Sequence, residues 1–217
     1  MAKDTPGSVY KSGQAPTAWL NSAEQLRHAA EIILVDQMSR EVPYFQAVDV
    51  ASREALGLAI AAVDGTATVE ITEPSPNYLP AQLLYAFALE NLLKAILCSK
   101  NPGWMNENKV SRKLRTHRLA DLANEAGIQV FSQETSVVNA LSDIAEWVGR
   151  YPVALDVEKH VSGTIPLGIN PDALLDWGSA HPVMRRLYDR LHELLLKSLP
   201  SPPVRSFGSV TTIRPKT

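Results

Sequence analysis

Between Ser99 and Arg118, six cations (Lys100, Lys109, Arg112, Lys113, Arg115 and Arg118) face one acid, Glu107. This gives a local charge of +5 in a chain whose total is −2. Clustered cations bind phosphates by releasing their counterions, and an indole ring gives a base something to stack on. Lys109, Arg112, Lys113, Arg115, Arg118 and Trp104 therefore form the candidate nucleic-acid-binding set. The competing reading is a solvated loop that offsets the acidic stretch 119–160, where seven acids meet two bases. In the same connector, Arg112 precedes His117 with four residues between them. Such a pair can cleave RNA without a metal. The imidazole accepts the 2′-OH proton near neutral pH, and the guanidinium steadies the charge that develops on phosphorus. Arg150 and His160 make a second pair, with nine residues between them including Pro152. The candidate catalytic residues are thus His117, Arg112 and Arg150. Their structural alternatives are a capping or packing histidine, and an arginine bonded to a helix end or to an acid such as Glu90.

Other chemistries find little support. The histidines at 28, 117, 160, 181 and 192 show no i,i+4 pairing and no clustered acids, so no zinc site is expected. Cys98, the single cysteine, excludes an internal disulfide and reads as a small buried hydrophobe. No glycine-rich phosphate loop and no nucleophile-elbow motif occurs, and no cofactor is expected.

These residues need a scaffold. The chain has 217 residues, 45% of them hydrophobic, enough for one generous core. Residues 18–199 read as a single helical domain. Residues 1–17 read as a loose arm, and 200–217 as a proline-rich basic tail. Ala23, Leu26, Ala30 and Ile33 recur at helical spacing, predicting a first helix over 19–40 that Pro43 stops. A second helix is expected over 48–63, and residues 66–72 alternate as a short strand or extended linker. The segment from Pro80 to Ser99 is apolar around nearly its whole circumference, which predicts a central helix packed on several sides. Glu90 and Lys94 interrupt it as either a surface stripe or a buried pair. Thr116 as N-cap and Gly127 as C′ residue bracket a short helix. Val137, Leu141, Ile144 and Val148 predict a helix over 134–149. Met184, Leu187, Leu191, Leu194 and Leu195 point inward on a last helix over 182–199. The fold class is an all-α, up-down bundle of five to six helices with at most one short β element. With no leader-like start and no apolar run longer than Leu83–Leu89, a soluble cytoplasmic protein without a membrane partner is expected.

The order of three blocks carries a resemblance over about residues 78–155. The core Ala88–Leu97 within Ala81–Leu97 resembles the central helix of the HEPN superfamily, the higher eukaryotes and prokaryotes nucleotide-binding domain. Thr116–Leu122 resembles that family's short helix opening on a histidine. Ile144–Pro152 resembles its following helix, with an Arg-Tyr-Pro end. The resemblance implies a helical bundle paired as a homodimer, and a place in bacterial defence, toxin–antitoxin or stress systems. It implies either a nonenzymatic RNA- or nucleotide-binding module or a metal-independent ribonuclease. The latter uses an arginine and a histidine four to six residues apart, late in the bundle. This chain departs there: Arg112 and His117 precede the short helix, and Arg150 and His160 lie too far apart. A dimeric protein-interaction scaffold is the third reading.

Overall fold

The computed structural model describes residues 6–62, 65–106, 108–148 and 177–199. The helices are α1 (Pro6–Ser12), α2 (Pro16–Ala61), α3 (Leu79–Lys100), α4 (Leu119–Glu125), α5 (Ser132–Asp143) and α6 (Trp177–Ser198). Short 3₁₀ turns occupy Pro102–Trp104 and Arg112–Leu114, and a π-type turn, Ile144–Val148, continues α5. The described residues contain no strand, so the protein is an all-α bundle and the 66–72 segment is extended coil.

The bundle is built around α3. It packs against α2, α4, α5, α6 and the π-type turn. Leu89, Leu92, Ala95, Ile96 and Leu97 are buried on different sides of it, as an all-round apolar sequence requires. By length and composition alone α3 could cross a membrane, yet 78% of its apolar window is buried inside this bundle. The polar ties give the direction of each neighbour. Tyr78, Tyr85 and Asn91, in ascending order, bond to Glu41, Glu31 and Ser22 of α2, in descending order. Helix α2 is therefore antiparallel to α3. Arg185, Asp189 and His192 meet Glu31, Arg27 and Glu24, so α6 is also antiparallel to α2 and runs parallel to α3.

Several boundaries differ from the sequence expectation. Pro43 does not end the first helix; α2 continues through it to Ala61. Proline removes the hydrogen bond to the Ser39 carbonyl and its ring crowds that carbonyl, but both residues lie on the exposed side, where water can take the lost donor's place. At 1.5 Å per residue α2 is about 69 Å long, against about 33 Å for α3, so its far half has no α3 beside it. Residues 6–17 are not a loose arm. They hold α1 and the start of α2, and Gln14 is buried, donating to the Asn106 carbonyl (2.7 Å) and accepting from its N–H (3.3 Å). Helix α5 widens into the π-type turn after Asp143, with Val137, Leu141 and Ile144 on its buried seam. In α6 Leu194 is exposed and Tyr188 takes an inward place, giving the seam 184, 187, 188, 191, 195. The tail 200–217 lies outside the described residues.

The end of α4 follows its sequence closely. Gly127 has φ +65°, its N–H donates to the Asn124 carbonyl, and Ile128 N–H donates to Ala123. This is a Schellman stop, which favours glycine at C′. A Cβ at Gly127 would meet open space, so only backbone strain opposes it. Gly127→Ala is expected to cost about 1–2 kcal/mol in urea unfolding. A loss under about 0.3 kcal/mol would show that the left-handed turn is not held in solution.

Candidate functional site

Helix α3 carries Glu90 and Lys94 one turn apart, facing inward. Their side chains are 5% and 6% exposed, and Lys94 Nζ donates to Glu90 Oε1 at 2.5 Å. The second carboxylate oxygen, Oε2, lies 2.8 Å from His117 Nδ1. One buried carboxylate is thus shared by an ammonium and an imidazole, which offsets the cost of removing it from water. The Trp19 ring lies under Lys94 at 5.5 Å, and Phe87 packs edge-on against His117 at 6.3 Å. With Nδ1–H directed at the carboxylate, the neutral imidazole presents Nε2 as an acceptor, and the side chain is 38% exposed. The two open readings of Glu90 and Lys94 resolve to the buried pair. His117 is both a packing histidine, against Phe87, and a partly exposed one.

The connector that carries His117 is fixed at three places. Gln14 clasps Asn106, Leu114 is buried at 1% exposure, and His117 is held to α3. Between these points the cations face outward. Lys109 and Arg112 are exposed and have no ion pair among the described residues. Arg115 Nε donates to the Val110 carbonyl, which leaves the rest of its guanidinium outward. Arg118 sits 3.7 Å from Asp121, with both side chains more than 60% exposed. Lys113 pairs with Glu125 at 2.9 Å, and Lys100 caps the end of α4 through the Ala126 carbonyl. Trp104 is half-buried against the core rather than a free stacking platform.

The start of α4 differs from the expected Thr116 cap. The helix begins at Leu119, whose N–H is taken by Ser142 Oγ of α5 (3.0 Å), while the Thr116 hydroxyl accepts from Arg118 N–H. The first amide of α4 is thus satisfied inside the protein. Arg150 and His160 lie outside the described residues.

A second polar cluster, not foreseen from spacing, joins α2, α3 and α6. Glu31 accepts from Tyr85 Oη and, through both oxygens, from Arg185, including Nε at 2.8 Å. Burial alone would raise this carboxyl. The hydrogen bonds from Arg185 and Tyr85 and the Arg185 charge outweigh it and hold Glu31 at about 2. Burial and the Glu31 bond push Tyr85 up to about 12. His181 Nε2 is 3.6 Å from Glu31, a contact that favours its charged form, yet burial and the Arg185 charge win and lower it. Alongside, Arg27 lies over the Tyr188 ring at 4.8 Å, and His192 meets Glu24 at 2.9 Å. These residues border an open groove of about 360 Å³. With Glu31 saturated by Arg185 and Tyr85, its carboxylate is not a free base. Its chemistry is that of a tie between helices 154 residues apart in sequence, and no local motif could signal it.

Among the described residues, no group of three or more His, Cys, Asp or Glu is disposed to hold a metal ion. Cys98 is buried at the end of α3, and burial pushes its thiol up to about 11, away from reactive thiolate. Comparison of the chain with protein-family models, with curated proteins and with solved structures gives no match.

Proposed function

We propose that the protein is an RNA-binding module of HEPN-like character that takes single-stranded RNA along the 109–118 connector. One observation carries this reading: Lys109, Arg112 and Arg115 stand exposed, with no ion pair among the described residues, on a segment pinned at both ends, while Lys113 and Arg118 beside them are paired with Glu125 and Asp121. A fixed row of cations loses little conformational freedom on meeting a phosphate backbone, and its binding falls steeply with salt. The test is anisotropy of a labelled RNA oligomer across a salt series, comparing the full chain with Lys109→Ala/Arg112→Ala/Arg115→Ala. We expect affinity to fall at least tenfold, with the slope of log K against log salt reduced by about 2, near 0.7 per lost phosphate contact. An unchanged slope in a variant with wild-type helicity overturns the placement.

The Glu90–His117 contact favours a second reading, a metal-independent endoribonuclease. The carboxylate orients the imidazole, Nε2 accepts the 2′-OH proton as the 2′-oxygen bonds to phosphorus, Arg112 steadies the phosphorane, and the P–O5′ bond breaks with the 5′-oxygen taking a proton from water. RNA cleavage in EDTA that His117→Ala abolishes supports it. Cleavage unaffected by that change removes His117 from the chemistry.

A further inference from the structure

The far half of α2 carries an exposed apolar stripe. Val42, Phe45, Leu56 and Ile60 are 64%, 61%, 64% and 79% exposed. Asp49 and Arg53, paired with each other one turn apart, lie between them. At 100° per residue these six positions fall within an arc of about 80°, in line with Glu24, Arg27 and Glu31 of the near half. Contiguous exposed apolar surface rimmed by polar groups marks an interaction site.

The order of the stripe names its occupant. Measured from Ala51, Asp49 and Arg53 lie two residues to either side, and Val42 and Ile60 lie nine to either side. Phe45 lies six before it and Leu56 five after. The stripe thus reads the same in both directions by size, and with opposite sign by charge. A two-fold axis at Ala51 lays a second α2 antiparallel on the first. Phe45 then faces Leu56 of the second copy, and Val42 faces Ile60. Each Asp49 meets an Arg53 of the opposite sign, so the ion pair within each helix is shared across the pair. Such self-complementarity is what an isologous contact requires. A membrane surface fits less well, because residues 44–61 carry Asp49, Arg53 and Glu54, a net charge of −1.

We infer that the protein self-associates through antiparallel pairing of the far halves of α2, centred on Ala51. The contact uses no connector residue and stands apart from the RNA reading.

The test is sedimentation or light scattering of the full chain over a concentration series, with helicity as the control for folding. The wild type is expected at twice the chain mass. Asp49→Arg, and separately Arg53→Asp, place like charges at the axis and should raise the dimer Kd at least tenfold. The exchange Asp49→Arg/Arg53→Asp restores opposite signs and should recover most of that loss. A wild type that stays monomeric to 100 μM or so overturns the inference, and so does an exchange variant no better than the single ones. Orientation is read by oxidising a mixture of Phe45→Cys and Leu56→Cys chains, since Cys98 is buried. Antiparallel pairing links one variant to the other. Links only between identical variants would overturn the arrangement.

Discussion

Glu90→Ala is expected to cost about 3–5 kcal/mol, the range for removing one member of a buried ion pair. The variant leaves the Lys94 ammonium at 6% exposure with no carboxylate, and takes the acceptor from His117 Nδ1. The Trp19 face offers the cation some relief, but a cation–π contact is worth on the order of 1 kcal/mol. Lys94→Met should be milder. Glu90 then keeps the imidazole N–H, and the thioether lies against Trp19 in a fitting apolar contact. Urea unfolding of both variants checks the order. A Glu90→Ala loss below about 1 kcal/mol, or a larger loss in Lys94→Met, would mean that the carboxylate does not organise this part of the core. The same variant bears on function, because the imidazole loses the group that orients it.

The second large effect is acid sensitivity. The Glu31 carboxyl sits at about 2 in the folded protein against an ordinary 4.5, so folding favours its ionised form. That stability is fully present above pH 4.5 and is lost as pH falls from 4.5 towards 2. A displacement of this size corresponds to roughly 3 kcal/mol, and the half-exposed Arg185 partner reduces it to about 2. His181 acts in the same direction. Burial lowers it from 6.5, so an unfolded chain takes up its proton first, and stability begins to fall as pH drops through 6.5. Glu31→Gln should lose about 2 kcal/mol at pH 7 and flatten the fall in melting temperature between pH 4.5 and 2. A variant with the wild-type slope over that interval would show that another group controls acid unfolding.

The parts of this molecule that were legible in sequence are those fixed by near neighbours. An apolar circumference identified α3 as central, and Gly127 marked the end of α4 because a left-handed residue is needed there. The connector's charge could be counted directly, and its cations do point outward. Local rules failed where a distant partner or solvent decides. Pro43 reads as a stop, yet the 46-residue helix continues through it on an exposed face despite a cost of about 3 kcal/mol. Thr116 reads as a cap, but Ser142, from another helix, takes the first amide. Leu194 and Leu195 look equivalent until α6 is seated and one of them must face water. The Glu31 tie draws on three helices and leaves no periodic trace.

The late position of α6 has a consequence for synthesis. Seventy-six residues separate the end of α3 at Lys100 from the start of α6 at Trp177. At 5–20 residues per second, a ribosome needs about 4–15 s to cross that interval. Throughout it, the flank of α3 that Met184, Leu187 and Leu191 will later cover stays bare on the nascent chain, and Glu31 waits for its arginine. Until α6 emerges, a growing polypeptide that already holds α1 to α5 keeps that flank open to aggregation and to chaperones.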